Sequence, residues 1–220
     1  MANFELDHLV IFVSPDGPEA KAVEAAGLQG FGGVTRHGDL GSASTAFFFY
    51  NLTYLELLWL TDEEAARRNF EPLSMNTIPR THWRETGAVP FGLMLRRQAG
   101  DGDSPVPFTT RNLEVNGHYV HFNGTTLTEP NYGVVPEPMS FRGFRANIED
   151  VEHPLGVKNL TSVTIDLPTA DRSPIAHFVV EGGIVNYVTA SQPNLTLTFD
   201  NGSQGRTVDL NPILPLLLRC

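Results

Sequence analysis

Apolar and polar residues fall in short blocks along this chain, with glycine, proline or asparagine separating most of them. Blocks of that size read as strands. Phe4 to Val13 is nearly continuous in apolar residues and rich in Val, Ile and Phe, which predicts a strand buried on both faces. With a period of two, His8 shares a face with Leu6, Val10 and Phe12. Ser14-Pro15-Asp16-Gly17 breaks this strand. Pro18 to Ala26 follows as a short helix with Ala20, Val23 and Ala26 as its packing stripe, and Gly27 ends it. Val34 to His37, Thr45 to Tyr50 and Tyr54 to Leu60 then predict three strands.

Thr61-Asp62-Glu63-Glu64 has the chemistry of a helix start, with Thr61 as the cap and acids at the positive helix end. Pro72 to Arg84 is irregular, and Leu93 to Arg96 returns to strand. Asn116-Gly117 and Asn123-Gly124 signal tight hairpins, dividing Arg111 to Val115, His118 to Phe122 and Thr125 to Thr128 into a meander. Phe141 to Ile148 adds a strand. From Val157 the opening order returns: Leu160 to Ile165 as strand, Ser173 to Val180 as helix, and then Ile184 to Thr189, Leu195 to Phe199 and Arg206 to Leu210. The last two are joined at Asn201-Gly202. The predicted class is α+β. Residues 1–60 form a first βαβββ module, residues 61–152 a connecting helix and strand-rich insert, and residues 153–220 a second βαβββ module related to the first as a repeat.

Composition narrows the partners. At 41% apolar and 18% charged residues the chain is globular in type. A formal charge of −10, with basic pairs only at Arg67-Arg68 and Arg96-Arg97, argues against nucleic acid. No apolar run is long enough to span a membrane, and the first residues carry no signal pattern, so the expected setting is soluble and cytoplasmic. The single cysteine, Cys220, rules out a disulfide framework and a cysteine-rich zinc site. Gly30 to Gly33 lacks the Lys-Ser/Thr ending of a phosphate loop, and no Gly-x-Ser-x-Gly elbow is present.

The candidate chemistry rests on a histidine and two carboxylates in apolar strands. Glu56 stands between Leu55 and Leu57 and shares its face with Tyr54 and Leu58. Burying an unpaired carboxylate costs on the order of several kcal/mol, so a metal, an arginine, a proton or a wet cavity is expected beside it. If the two modules pair about a pseudo-two-fold axis, His8, Glu56, Ser162 and Asp209 become equivalent positions. One imidazole and two carboxylates suit Zn²⁺, Fe²⁺, Mn²⁺ or Ni²⁺. Each residue also has a plainer reading: His8 as a hydrogen-bonded core histidine, Glu56 as a partner of Arg36, Asp209 as the cap of a turn before Pro212, and Ser162 as strand surface. In the insert, Arg80 or Arg84 can hold an anionic substrate group, with His82 and Trp83 lining a pocket. The alternative there is a surface loop packed by Trp83.

Leu6-Asp7-His8-Leu9-Val10, Tyr54-Leu55-Glu56-Leu57, His37-Gly38, His153-Pro154-Leu155-Gly156-Val157 and Leu160-Thr161-Ser162-Val163-Thr164 together resemble the glyoxalase-like branch of the vicinal oxygen chelate superfamily. The resemblance implies paired βαβββ modules forming a cup-shaped mixed sheet. It also implies metal ligands from the first and last strands, here His8, Glu56 and Asp209, with Ser162 where relatives carry histidine or glutamine. His37 joins the insert's Arg80, His82, Trp83 and Arg84 as the substrate-side candidates. The implied function is a metal-assisted lyase, isomerase or dioxygenase acting on a small oxygen-bearing metabolite, with Glu56 as proton shuttle. The alternative is a non-catalytic binder of the drug-sequestering type with an apolar cavity, and a further one is a homodimer formed through a sheet edge.

Overall fold

The structure is a computed structural model that describes residues 3–101, 105–106, 108–145 and 151–220. It is a mixed α+β protein built on two open, mixed sheets of eight and five strands. The first sheet opens with β1 (Phe4–Phe12), followed by helix α1 (Ala20–Ala25), β2 (Phe31–Arg36), β3 (Ser42–Phe48) and β4 (Tyr54–Leu60). Three short helices then intervene: α2 (Glu63–Phe70), α3 (Thr77–Thr81) and α4 (Trp83–Thr86). β5 (Phe91–Arg97), β6 (Arg111–Val115), β7 (His118–Asn123) and β8 (Asn131–Val134) complete this sheet, and α5 (Phe141–Phe144) follows. The strand order is β2-β3-β4-β1-β5-β8-β7-β6. Each half therefore runs first-fourth-third-second outward from the centre, and the two first strands, β1 and β5, meet antiparallel.

The period of two decides what each face does. Leu9, Ile11, Leu55, Leu57, Trp59, Leu93, Leu95, Tyr132 and Val134 enter one large core. The alternate residues Val10, Phe12, Met94 and Val135 form a separate cluster on the other face, with Leu58, Phe122 and Met139 packed against it. The second sheet covers the first face. It comprises β9 (Leu160–Leu167), β10 (Asn186–Thr189), β11 (Asn194–Phe199), β12 (Thr207–Asp209) and β13 (Leu216–Arg219), with helix α6 (Pro174–Glu181) after β9. Val163, Ile165, Leu197, Phe199 and Leu218 from this sheet join the same core. Full burial of side chains of this size contributes roughly 1.5–3 kcal/mol each, so that face is committed to holding the sheets together.

Residues 153–220 do not repeat residues 1–60. The second sheet has the order β10-β9-β11-β13-β12, with β10 parallel to β9, whereas β2 reaches β1 only through β3 and β4. The strands that continue the first sheet beyond β1 are instead β5 to β8, within residues 91–134, lying in what the sequence marks as an insert. β13 has no counterpart in the sequence reading, and it intervenes between β11 and β12, so Asn201-Gly202 joins strands that do not pair.

Local chemistry accounts for the other differences. The α2 cap is Asp62, whose side chain accepts from Ala65 N at 3.0 Å, and not Thr61. Asn116-Gly117 does turn β6 into β7, with both residues at positive φ. Gly124 serves another purpose. A Cβ there would lie 2.0 Å from Ser74 O, so the glycine admits the neighbouring loop, and the next strand begins only at Asn131. Phe141 to Phe144 is helical, capped by Ser140, and residues 146–148 of the expected strand lie outside the described residues. No helix among the described residues is long and apolar enough to cross a membrane.

Candidate functional site

The free face of the eight-stranded sheet carries a cavity of about 210 Å³. Its walls are apolar, with Val10, Phe12, Leu58, Phe70, Met94 and Phe122 among them, and one end is polar, with His8, His37 and Glu56. That volume lies below the roughly 300–1,000 Å³ of pockets for drug-sized ligands, so the space suits a smaller molecule.

A one-residue irregularity in β1 builds the polar end. Leu6 pairs with Leu95 and His8 with Met94, so Asp7 is an extra residue opposite a single step of β5. The bulge moves Leu6 to the main core while His8 keeps company with Val10 and Phe12, which strict alternation from Leu6 does not anticipate. Asp7 is fully buried. Its Oδ1 lies 2.7 Å from His8 Nδ1, and its Oδ2 accepts from Arg96 Nη1 at 3.1 Å and from Phe141 N at 3.0 Å. A carboxylate paired with Arg96 accepts, which places a proton on His8 Nδ1 and turns Nε2 toward the cavity. Tyr54 stacks on the His8 ring with centroids 4.2 Å apart.

Glu56 sits on β4 beside Val10 and is buried. His8 Nε2 stands 3.7 Å from one carboxylate oxygen and His37 Nε2 3.5 Å from the other. His37 comes from the turn between β2 and β3. There Gly41, at φ +70°, passes so close to α2 that a Cβ would lie 2.3 Å from Asp62 O. Ser44 Oγ lies 3.0 Å from His37 Nε2. Burial alone would raise Glu56, but the hydrogen bond from His37, the charges of His8 and His37, and Ser44 bring it down to about 2. For His37 burial acts downward, and the hydrogen bond and charge of Glu56 outweigh it, raising the imidazole above its ordinary 6.5. Burial, then the charges of Glu56 and Asp7, push the Tyr54 phenol well above 10, so it stays neutral. The result is a fixed anion flanked by two imidazoles at the head of an apolar space.

The remaining sequence candidates lie elsewhere. Asp209 is on β12, a strand of the other sheet, and its exposed carboxylate accepts from Asn211 N at 2.8 Å and Asn211 Nδ2 at 2.9 Å. It is therefore the turn cap and not a companion of His8 and Glu56. Ser162 is on β9, also in the other sheet. Arg80 is fully buried and donates to Val89 O, to Thr126 O at 2.9 Å and to Thr125 Oγ1 at 3.3 Å, clamping loops together. Burial depresses its guanidinium to about 10, against the charges of Tyr132 and Glu129. His82 meets Glu63 at the surface at 3.3 Å. Arg84 lies over the Trp83 ring at 4.3 Å and reaches Glu19 and Ile213 O. None of Arg80, His82, Trp83 and Arg84 lines the cavity with Glu56, whereas His37 does.

The metal-ligand expectation meets the same difficulty. On the partner half the cavity-facing positions of β5 and β8 are Gly92, Met94 and Asn131, which supply no imidazole or carboxylate. The two histidines address different oxygens of Glu56, and no three His, Cys, Asp or Glu side chains among the described residues are arranged to hold an ion.

A larger cleft of about 1400 Å³ lies between Thr125–Glu129 and the start of α6. Its buried acid, Glu129, accepts from Ser173 N and Oγ, at 2.7 and 2.6 Å, and so holds the start of α6.

No protein-family model and no curated protein matches this chain. Solved structures do. One is the crystal structure of a hypothetical protein from Staphylococcus aureus, with a TM-score of 0.55 and 10% sequence identity over 98% of both chains. At that identity the likeness is one of fold.

Proposed function

We propose that this chain is a small-molecule-binding protein of the glyoxalase-like, vicinal oxygen chelate type. Its eight-stranded sheet is the cupped wall, made of two modules at residues 4–60 and 91–134. The observation that carries the reading is the Glu56 carboxylate held between His8 and His37 at one end of a mainly apolar cavity. An ionised carboxylate accepts and does not donate. Its 3.5–3.7 Å separations from the two imidazoles are longer than good charge-assisted hydrogen bonds, leaving accepting capacity for a ligand. The ligand class is thus a small molecule with an apolar body and a hydroxyl or N–H group that reaches Glu56.

Proton transfer is the second reading. A carboxylate at about 2 is too weak a base to serve as shuttle near neutrality, so Glu56 is better suited to fixed charge than to catalysis. His37, raised above 6.5 and facing the same cavity, is the better-matched acid for a lyase or isomerase step.

The test is binding of 4-propylphenol, followed by calorimetry, to wild type and to Leu58→Trp, which adds bulk to the cavity wall and leaves the Glu56 carboxylate in the sequence. Saturable binding by wild type and its loss in the variant is expected. Equal binding by both places the ligand elsewhere and contradicts the reading.

A further inference from the structure

Glu56, Val10, Gly92 and Asn131 form one continuous row across β4, β1, β5 and β8: Glu56 pairs with Val10, Val10 with Gly92, and Gly92 with Asn131. All four line the cavity. The pseudo-symmetry of the two halves places Asn131 as the counterpart of Glu56, at the far end of the row. The middle is low: Gly92 has no side chain, and a Cβ there would stand only 3.3 Å from Val10 Cβ. Three strand spacings separate the two ends, about 14 Å between backbones.

Asn131 is 2% exposed. Its Nδ2 donates to Met75 O, which fixes the amide orientation. Its Oδ1 is buried and has no hydrogen-bond partner. Buried acceptors in native proteins are nearly always paired, so an orphan on a cavity wall marks a position served by something that enters. Glu129, Arg96 and Asp7 are buried and have protein partners. Glu19 Oε2, Arg80 Nε and Trp83 Nε1 are also buried without a partner, but none of those residues lines this cavity.

We infer that Asn131 is a second anchor and the specificity-determining residue of the cavity. The ligand lies along the row with one donor on Glu56 and a second on Asn131 Oδ1, so the preferred class is an elongated apolar molecule with a hydrogen-bond donor at each end. This rests on the cavity being a binding site, as proposed above.

The experiment compares 4-alkylphenols with their 4-(ω-hydroxyalkyl)phenol counterparts, from ethyl to hexyl, by calorimetric titration. At one chain length the terminal hydroxyl should tighten binding to wild type roughly tenfold, the upper range for one hydrogen bond satisfying a buried group. That ratio should fall to about one in Asn131→Leu, and in Asn131→Asp, which keeps an acceptor there, it should persist. If alkylphenols bind but no terminal hydroxyl improves affinity at any length, or the gain survives in Asn131→Leu, the inference is overturned while the cavity stands. If no alkylphenol binds wild type, the cavity reading fails and takes this inference with it.

Discussion

His8 and Asp7 are sequence neighbours whose side chains meet, Nδ1 to Oδ1, at 2.7 Å. In an unbroken strand they would point to opposite faces. The bulge in β1 lets the buried carboxylate orient the cavity imidazole while Arg96 and Phe141 N satisfy its other oxygen. Asp7→Ala leaves Arg96 buried with only Glu5 and Leu52 O. Removing one partner of a buried ion pair costs about 3–5 kcal/mol, and the surviving Glu5 contact places this variant near the lower figure. Urea denaturation measures it. Asp7→Asn, which preserves shape and one acceptor, should lose less.

Stability should depend on pH through the same cluster. Glu56 is lowered from 4.5 to about 2, so its contribution is complete above pH 4.5 and is lost as pH falls through about 2. His37 is raised, so its contribution is complete below 6.5 and is lost as pH rises through its folded value. The urea midpoint of wild type should therefore peak between pH 4.5 and 6.5. His37→Gln should flatten the alkaline fall. In Glu56→Gln, with burial left as the main influence, the His37 imidazole should titrate lower than in wild type by NMR.

Arg80 offers a contrast between structure and binding. Arg80→Ala strands Val89 O and Thr126 O, and each buried acceptor left unpaired costs about 1–3 kcal/mol. Arg80→Lys keeps the charge but not the fork and should rescue only part of this loss. His82→Ala and Arg84→Ala, at the surface beyond the cavity, should leave 4-propylphenol affinity unchanged. A tenfold loss in either would return the 82–84 segment to the site.

The legible part of the site was the part carried by period and burial. Val10, Tyr54, Glu56 and Leu58 share the cavity face as alternation requires, and Glu56 between leucines announced a carboxylate in need of a partner. His37 enters through the resemblance that His37-Gly38 helps to carry. What stayed hidden was set by pairing at long range. The bulge that makes Asp7 the orienting group depends on the register of β5, and nothing local marks it. Asn131 follows a proline in a polar stretch and becomes a cavity residue only when β8 joins β5. The similar element order at the two chain ends points to residues 153–220, whereas β5 to β8 share the sheet of β1 to β4, and among the described residues no helix lies between β5 and β6 to mark them.

Metal addition separates this account from one with a metal at His8 and Glu56. Equimolar Zn²⁺, Fe²⁺ or Mn²⁺ should leave the thermal midpoint unchanged, since a ligand bound only by the native state raises it in proportion to its affinity. A rise abolished by both His8→Ala and Glu56→Gln would establish a metal centre there.

Paired titrations of 4-propylphenol and its methyl ether, 4-propylanisole, test most directly whether the Glu56 anion takes a donor from the ligand. Wild type should bind the phenol roughly tenfold more tightly, as one hydrogen bond to a charged group allows. That preference should vanish in Glu56→Leu, which carries no acceptor. Equal affinities in wild type, or a phenol preference retained by Glu56→Leu, would contradict that role for Glu56.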